Sequence, residues 1–423
     1  MPHTVVVGAG IAGLWIALQL LKTGERVTIL EKYGVPGGRI ITSKHGYELG
    51  AGRVYGKHRR VRALLRHYGL HLDPIGNTAF WRPLGGCTEP NTFEETWNAI
   101  LKQFKKLPPH ILATHTLRDL AEKVFGADAA RIFLERFPYR AELECQRADI
   151  GIRCFEGEMG TREGYYVVRE GLSAMIRGLV SDINRAGGTL TVNTEVTDIE
   201  RNTLGRYRIQ TRKGKHVGEI GADRVVLAVH AVGLRALPVT RSMPALAHLG
   251  MAPLTRIYAQ YPGGWKHPRI VTDSPLRYII PINPATGVVM ISYTDNHDTD
   301  RFRGLKDKEL TAEIQKEVRR LFHPAPSDRH CGVSDEVPRT SRFPQDIIPE
   351  PLWVRSAEWK EGATYWRPGN YSPAHMSRAA LQPRADMPEL YCCGESFSVN
   401  QQAWIEGSLE HAEQLWTLMT RAR

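Results

Sequence analysis

The N-terminal stretch of the chain combines a short apolar run with a longer amphipathic segment. Residues 4–7 are mostly apolar and lead into Gly8, a pattern that predicts a short buried strand. In residues 11–23 leucine and isoleucine recur on one packing face, as in an amphipathic helix, and Gly24 follows where a helix C-terminus is expected. Residues 26–30 alternate in polarity like a second strand. The pattern therefore predicts one strand–helix–strand unit.

The remainder of the chain mixes helical and strand periodicities without an internal repeat. Helical patterns cover residues 61–68, 92–104, 117–125, 129–137, 172–187, 306–322 and 405–421. Strand patterns cover residues 189–192, 196–199, 206–210, 224–229 and 390–393, and the stretch 251–293 is rich in β-formers. The proline-rich residues 324–351 predict irregular structure. Such a mixture indicates an α/β protein whose nucleotide-site features are spread along the chain.

Length and composition are those of a globular protein. With 423 residues, 42% hydrophobic and 24% charged, the chain is long enough for two or three domains with a sizeable core. The formal net charge of +11 would suit an anionic cofactor, an anionic substrate, nucleic acid or a membrane surface, and equally a merely basic surface. The basic run at residues 57–60 is interpreted as the start of a solvated helix, and no nucleic-acid module is recognised.

The six cysteines form no CxxC pair. Cys392 and Cys393 lie in an apolar strand pattern, where free thiols pack as small hydrophobic groups. We therefore expect a reducing compartment and no structural zinc or other metal site. The chain enters a strand pattern at Thr4 without a signal peptide, and no apolar run is long enough to cross a bilayer, so a cytoplasmic location is expected.

The first residues that indicate a binding function lie in the turn between the first predicted strand and the first predicted helix. The six residues Gly8, Ala9, Gly10, Ile11, Ala12 and Gly13 form the pattern GxGxxG. The first glycine permits a tight turn, the second lets the backbone approach a pyrophosphate, and the third allows the helix to pack against the strand. The helix N-terminus offers free N–H groups to the phosphates. Glu31 follows the next strand, where a carboxylate can accept hydrogen bonds from ribose hydroxyls, so a dinucleotide site is predicted, for NAD or FAD.

The residues after Glu31 extend this predicted site. Gly37, Gly38 and Arg39 resemble the flavin-containing amine oxidase family, in which a Gly-Gly-Arg segment wraps the FAD pyrophosphate. The resemblance continues at residues 194–196, which are similar to the family's adenine-contacting segment. It implies that the following residues of this part of the chain contact FAD: Gly8, Gly10, Ile11, Ala12, Gly13, Glu31, Lys32, Gly38, Arg39, Gly50, Ala51, Gly52, Arg53 and Val196.

The resemblance is strongest near the C-terminus. Gly394 and Glu395, followed by Trp404 and Ile405, are similar to the family's closing motif. In the family the Gly-Glu pair approaches the ribityl chain and phosphates, and the aromatic residue lies beside the flavin ring. The last predicted helix begins near Ile405, so its positive end would face the flavin and favour the anionic reduced form. These four residues complete the expected cofactor contacts.

The segment that ends at Arg53 narrows the expected substrate. In the L-amino-acid oxidases, the matching arginine clasps the substrate carboxylate, which a planar guanidinium can do with two hydrogen bonds. The segment also resembles that of bacterial tryptophan oxidases, and Tyr293 resembles the tyrosine whose hydroxyl helps to hold the carboxylate. Both residues have a structural alternative: Arg53 could brace phosphates or a carboxylate, and Tyr293 could be a core strand residue.

Further candidates are aromatic residues and one departure from the family pattern. Trp366 and Tyr371 resemble a run that frames the flavin ring and would bind substrate, with core packing as the alternative. Arg256 lies at what resembles the position where many members carry a lysine near flavin N5, and with Trp404 it is the candidate catalytic pair. An arginine stays protonated and is a poor proton shuttle, which puts oxygen reactivity in question. No cysteine lies near Glu361, where monoamine oxidases link the flavin, so noncovalent FAD is expected.

The resemblance also implies the architecture. We expect an α/β fold with a Rossmann-type, glutathione-reductase-like FAD domain, an inserted substrate domain of mixed sheet and helices, and a helical segment. The FAD domain would be discontinuous, over residues 1–57, 160–235 and 385–423. Residues 58–159 would form the mostly helical insert, and residues 236–384 the substrate domain.

The activity implied is FAD-dependent oxidation of the C–N bond of an L-α-amino acid to an imino acid, with oxygen reduced to hydrogen peroxide. The partners would be a small amino acid or amine and molecular oxygen, with no nucleic acid and no transmembrane segment, and a homodimer is left open. Alternatives are an amine or polyamine oxidase, another reaction on the same fold, and a flavoprotein scaffold without turnover.

Overall fold

The computed structural model describes residues 1–75, 79–86, 88–90, 93–158, 164–323 and 348–421. The strands of this part of the chain are β1 (His3–Val7), β2 (Arg26–Leu30), β3 (Val54–Tyr55), β4 (Leu72–Pro74), β5 (Ala79–Trp81), β6 (Glu89–Pro90), β7 (Tyr165–Val168), β8 (Thr189–Thr191), β9 (Glu195–Arg201), β10 (Tyr207–Lys213), β11 (His216–Ala222), β12 (Arg224–Leu227), β13 (Leu249–Gln260), β14 (Arg269–Val271), β15 (Tyr278–Asn283), β16 (Val288–Asp295), β17 (Trp353–Trp366) and β18 (Leu390–Cys392).

The helices of the described residues follow, in chain order. They are α1 (Ile11–Lys22), α2 (Arg59–His67), α3 (Phe93–Phe104), α4 (Pro109–Thr114), α5 (Leu117–Phe125), α6 (Ala127–Arg136), α7 (Arg140–Glu144), α8 (Ala148–Glu158), α9 (Ser173–Arg185), α10 (Ala231–Ala236), α11 (Pro244–Ala247), α12 (Asp307–Phe322), α13 (Pro373–Leu381) and α14 (Ile405–Arg421), with short 3-10 helices at Asn296–Arg301 and Glu395–Phe397. Along the described parts of the chain, no helix combines the length and apolar character needed to cross a membrane.

The chain divides into two compact units. Unit 1 comprises Met1–Pro74, Tyr165–Met251 and Ala363–Arg423, and unit 2 comprises Ile75–Gly164 and Ala252–Gly362. Most of the expected helical insert and most of the expected substrate domain therefore belong to one unit. The physical reason is strand pairing, since β5 of the first segment pairs in parallel with β14 of the second. The assignment of the three expected domains to separate functions stays a prediction.

Unit 1 is built around a five-stranded parallel sheet. Its strand order is β18-β12-β1-β2-β8, and each neighbouring pair runs parallel. Helices α1, α9 and α14 supply apolar residues to the core of this unit. Leu14, Ile16 and Leu20 of α1 are fully buried, as the amphipathic pattern predicts. The strand–helix–strand prediction at the N-terminus is confirmed.

Unit 2 contains a larger sheet and most of the short helices. The sheet has the order β17-β13-β16-β15-β14-β5-β6, and its longest strand, β17, was not predicted from the sequence. Charged residues and Gly362 interrupt the apolar pattern of β17, which hides the strand. A Cβ at Gly362 would lie 2.4 Å from the Leu254 Cβ, so the glycine permits the close approach of the backbone to β13.

Other predicted elements vary in their outcome. Helix α14 begins and ends at the predicted residues, whereas the strand predicted over 224–229 ends at Leu227 as β12. Strand β11, which the sequence pattern did not predict, pairs with β10 over residues 216–222. The proline-rich stretch falls largely outside the described residues, as do Cys87 and Cys331. Cys392 and Cys393 are fully buried thiols, and burial raises the pKa of Cys393 to about 12.

Candidate active site

The residues predicted to bind a nucleotide gather at one edge of the parallel sheet in unit 1. Strand β1 lies between β12 and β2, so the order of the chain reverses at β1. Gly8 follows β1, Glu31 follows β2 and Gly394 comes soon after β18. Because the strands are parallel, these residues share the carboxyl edge, and open α/β sheets bind ligands at such a reversal point.

The glycine turn before α1 is shaped for a close-lying ligand. Gly8 has a φ of 99°, and a Cβ there would lie 2.5 Å from the carbonyl oxygen of Ala228. A Cβ on Gly13 would lie 2.1 Å from the Gly8 carbonyl oxygen, so both glycines are required by packing. In contrast, a Cβ on Gly10 would meet no atom within 4 Å. Gly10 precedes the first turn of α1, where no side chain caps the helix, so the turn fits a phosphate group.

Glu31 is a buried carboxylate fixed beside this turn. One oxygen accepts the Ala9 N–H at 2.8 Å and the other accepts the Tyr33 N–H at 2.9 Å. Lys32 pairs with Glu195 at 2.9 Å, and the hydrogen bond from this pair raises the pKa of Lys32. The Thr194 N–H donates to the Glu31 carbonyl at 2.7 Å. The structure thereby brings residues 31–32 and the predicted adenine-contacting segment together.

The segment Gly37-Gly38-Arg39 lies against the glycine turn. The Gly37 N–H donates to the carbonyl of Ala9 at 2.8 Å, and a Cβ on Gly38 would lie 3.5 Å from the Gly10 Cα. The Arg39 carbonyl accepts the N–H of Ala51 at 2.8 Å, which joins this segment to the Gly50–Gly52 coil. Two segments predicted separately to contact the cofactor are therefore hydrogen-bonded to each other.

Glu395 is a buried junction between three segments of unit 1. Its carboxylate accepts from Arg39 Nη2 at 2.7 Å, from the Ala403 N–H at 2.8 Å and from the Thr364 hydroxyl at 3.2 Å. These donors fix its negative charge in place. A Cβ on Gly394, whose φ is 149°, would meet no atom within 4 Å. The predicted cofactor contacts of this pair stay predictions. Thr364 was not identified from the sequence.

Arg53 lies on an aromatic surface formed by two distant segments. The guanidinium carbon lies 5.4 Å from the ring centre of Tyr165 and 5.9 Å from that of Trp404, and Arg53 is only 5% exposed. The two rings are nearly parallel, with centres 6.3 Å apart. Each ring attracts the cation through its π face. We call Arg53, Tyr165 and Trp404 the aromatic clamp.

Strand pairing explains why the sequence did not reveal Tyr165. Strand β3 pairs with β7, so that Tyr55 lies opposite Tyr165 and Val54 lies opposite Tyr166. Arg53 immediately precedes β3, and the pairing carries Tyr165 to it from a remote part of the chain. A tyrosine in a short apolar strand gave no local signal of this contact.

Trp366 and Tyr371 both have defined partners in unit 1. The Trp366 indole is fully buried, and its N–H donates to the Ser398 carbonyl at 3.0 Å. Tyr371 stacks on His248 with ring centres 3.8 Å apart, and its hydroxyl donates to the Arg367 carbonyl at 2.5 Å. The predicted contacts of both residues with substrate stay predictions.

Arg256 and Tyr293 lie together in unit 2. They face each other across β13 and β16, and the Arg256 guanidinium carbon lies 5.5 Å from the Tyr293 ring centre. Both are buried, and Tyr139 packs edge-on against Tyr293 with ring centres 5.5 Å apart. Arg256 Nε and Nη1 are buried without a hydrogen-bond partner among the described residues. Their predicted roles in catalysis and substrate binding stay predictions.

The comparison with known proteins gives one family match and several relatives. A model described as flavin containing amine oxidoreductase matches residues 11–414. The chain is similar to an L-amino-acid oxidase of Mus musculus, 25% identical over 416 residues, which covers 84% of this chain and 64% of the mouse protein. An L-amino-acid oxidase of Siganus canaliculatus is 24% identical over 363 residues, covering 73% of this chain and 68% of the fish protein.

Similarity to a snake protein is concentrated in a short region. The L-amino-acid oxidase of Vipera ammodytes ammodytes is 46% identical over 76 residues, which is 17% of this chain and 16% of the snake protein. The chain therefore spans less than two thirds of the mouse and snake relatives.

Proposed function

The chain belongs to the flavin-containing amine oxidoreductase family, and on this premise we propose that it is an FAD-dependent L-amino-acid oxidase. It would oxidise the C–N bond of an L-α-amino acid, which gives an imino acid, and it would reduce oxygen to hydrogen peroxide. The observation that carries the amino-acid part of the proposal is the buried Arg53 of the aromatic clamp. The L-amino-acid oxidases of mouse and Siganus canaliculatus support the same activity class.

We assign the nucleotide half of the cofactor to the carboxyl edge of the parallel sheet, which we regard as Rossmann-type. Gly10 and the uncapped N-terminus of α1 would hold the pyrophosphate, because both offer backbone N–H groups next to open space. Glu31 would accept hydrogen bonds from the ribose. Hydrogen bonds rather than a covalent link would hold the FAD, as expected from the sequence.

Arg53 suits a carboxylate for a geometric reason. Aromatic rings contact a guanidinium through its faces, whereas a carboxylate is recognised through its N–H edges, so both contacts can exist at once. A simple amine offers no carboxylate for such a cation. The aromatic clamp therefore favours an amino acid over an amine or polyamine.

The protein's share of the chemistry is orientation and water exclusion. The bound flavin supplies the two-electron redox chemistry. Arg53 would hold the substrate carboxylate so that the α-carbon is presented in one orientation, and the Trp404 indole would form an apolar wall beside it. The described residues of the aromatic clamp provide no general base, and the proposed oxidation needs none when the amine binds in its neutral form.

An anaerobic substrate screen tests the proposal. Purified holoenzyme would be mixed without oxygen with the L-amino acids, including L-tryptophan, with the matching D-amino acids, and with amines and polyamines. Bleaching of the flavin absorbance by an L-amino acid but not by its decarboxylated amine is expected. Reduction by amines or polyamines alone would overturn the amino-acid assignment, and absence of reduction by any of them would favour a scaffold without turnover.

A further inference from the structure

Two helix N-termini of unit 1 are tied to each other next to the aromatic clamp. The buried Glu406, in the first turn of α14, accepts the N–H groups of Arg60 and Val61 at 3.1 Å each. These groups belong to the first turn of α2, which has no partner within its own helix for them. The Arg60 guanidinium also bonds Glu406 at 3.1 Å. The start of α2 therefore supports the segment that carries Trp404.

His58 is part of the same support at the start of α2, although the sequence pattern placed it in a solvated helix. It precedes α2 and is only 2% exposed. Its Nδ1 accepts the Tyr55 N–H at 3.2 Å, and its Nε2 lies 3.1 Å from Gln401 Oε1. The imidazole contacts the Trp404 indole edge to face, with ring centres 4.9 Å apart.

These partners define the protonation state of His58. Because Nδ1 accepts a hydrogen bond, the proton of a neutral ring lies on Nε2, where the amide oxygen of Gln401 accepts it. Burial lowers the pKa of His58 to about 4, so the ring is neutral at pH 7. A protonated ring would direct an N–H at the Tyr55 N–H. It would also place a second positive charge against the indole that contacts Arg53.

Gln401 connects His58 to the backbone that orients Trp404. The Gln401 carbonyl accepts the Trp404 N–H at 3.3 Å. A Cβ on Gly407 would lie 2.0 Å from that carbonyl oxygen, so the turn packs tightly against the first turn of α14. Ala403 within this turn has a φ of 65°, a conformation that a non-glycine residue adopts only when its surroundings hold it. His58 thus constrains Trp404 both through the turn and through the ring.

We propose that His58 is a positioning residue of the oxidase, which as a neutral imidazole fixes the Gln401–Trp404 turn and the Trp404 ring and thereby sets the carboxylate-binding geometry of Arg53. This inference rests on the proposed function of the aromatic clamp. His58 acts through Trp404 and Gln401 and does not itself contact the substrate.

The substitution His58→Asn separates this role from helix capping. Asparagine is favoured before a helix, and its side-chain oxygen can accept the Tyr55 N–H, but it offers neither the Gln401 contact nor the ring. Binding of benzoate to the oxidised holoenzyme would be followed by the change in flavin absorbance, or binding of the reducing L-amino acid where benzoate gives no change. We expect the Kd to rise about tenfold, equivalent to about 1.4 kcal/mol, while the FAD Kd and Tm stay close to those of the wild type.

A second variant removes the same hydrogen bond from the other side. Gln401→Leu keeps the ring contact with Trp404 and should raise the ligand Kd, but by less than His58→Asn does. The double variant should show little loss beyond His58→Asn, because both changes break the His58–Gln401 hydrogen bond. If His58→Asn does not fold, Gln401→Leu carries the test. His3→Gln serves as the matched control, since His3 is a buried histidine of unit 1 that contacts Thr28 and Gly221 instead.

The outcomes distinguish this inference from the proposed function. Weakened ligand binding in both variants, with an unchanged Kd in His3→Gln, supports the positioning role. Unchanged ligand binding in His58→Asn and Gln401→Leu overturns it, even if both variants lose thermal stability. A wild-type holoenzyme that binds neither benzoate nor any L-amino acid overturns the proposed function itself.

Discussion

Arg53 is a buried cation whose guanidinium lies over the rings of Tyr165 and Trp404. Burying a charge costs free energy that its partners must offset, so an arginine is kept at such a position for what it binds or braces. The flat guanidinium can stack on aromatic faces and bind a planar carboxylate with two N–H groups, whereas the compact ammonium of a lysine can neither stack flat nor bind in this bidentate way. At the residue scale, we therefore expect substitution of Arg53 in the aromatic clamp to affect binding directly.

The first prediction concerns Arg53→Leu. Removing the cation leaves the substrate carboxylate without its charged partner, which should weaken substrate binding by about 2–4 kcal/mol with a smaller effect on FAD affinity. Anaerobic titration of flavin reduction measures the change as an apparent Kd. Arg59→Leu, on the exposed side of α2, is the control and should bind like the wild type. An unchanged affinity in Arg53→Leu would remove Arg53 from the substrate site.

The turn from β1 to α1 contains glycines that are needed for different physical reasons. Gly13 is needed because the helix packs against the turn, whereas Gly10 borders open space. The same GxGxxG pattern therefore contains two glycines that packing requires, Gly8 and Gly13, and one, Gly10, that borders open space. The proposed phosphate contact would use the open space at Gly10.

This difference gives a paired prediction for Gly10→Ala and Gly13→Ala. In Gly10→Ala the free energy of unfolding of the apoprotein should change by less than about 0.5 kcal/mol. Its FAD affinity should fall about tenfold or more, because the methyl group occupies space needed by the pyrophosphate. Gly13→Ala should destabilise the apoprotein by about 3 kcal/mol through overpacking. Urea unfolding and FAD titration measure the two effects, and equal stability of both variants would contradict the assignment.

Helices α2 and α14 depend on each other through Glu406. Its carboxylate accepts two backbone N–H groups of α2 and is buried, whereas Glu413 pairs with the same Arg60 at a more exposed position. The two glutamates thus contact one arginine in different surroundings.

The corresponding prediction compares Glu406→Gln with Glu413→Gln. An amide at position 406 directs N–H groups toward N–H donors, so Glu406→Gln should lower the free energy of unfolding by about 2 kcal/mol. Glu413→Gln should cost less than about 1 kcal/mol, because solvent screens its ion pair. Chemical denaturation compares the variants, and a cost at position 413 equal to that at 406 would rule out the capping role.

At the scale of the whole molecule, unit 1 is assembled from three separate stretches of chain. His58 joins the first stretch to the third by its bond to Gln401, whereas His411 is buried within the third stretch, where it accepts the Gly394 N–H and contacts the Ser377 carbonyl. Burial lowers the pKa of both histidines to about 4. The unfolded chain binds their protons near pH 6.5, so folding becomes less favourable as the pH falls below that value.

The whole-molecule prediction is therefore acid sensitivity. The stabilising contribution of each buried histidine is complete above pH 6.5 and lost progressively between 6.5 and about 4, with a loss of about 2 kcal/mol per histidine at pH 5. The difference between free energies of unfolding at pH 7 and pH 5 should shrink in the double variant His58→Asn/His411→Asn. The exposed His45→Asn is the control. The same pH dependence in the wild type and the double variant would contradict the prediction.

The sequence by itself determined the N-terminal strand–helix–strand unit and the family resemblance at residues 8–13, 37–39 and 394–395. These features are local, because glycine is required wherever neighbouring backbone leaves no room for a Cβ, and an amphipathic helix repeats its apolar face within a few turns. The same locality explains why α14 was predicted to the residue. The flavin amine oxidoreductase family follows from such motifs occurring in the correct order.

Tertiary structure decided the surroundings of individual side chains. It placed Tyr165 beside Arg53, buried His58 against Trp404, and surrounded the Trp366 indole completely. Pairing between β3 and β7, and packing between α2 and α14, join residues far apart in the chain. The burial of a side chain and the residues that it contacts both depend on many such distant contacts, so the local periodicity of the sequence does not reveal them.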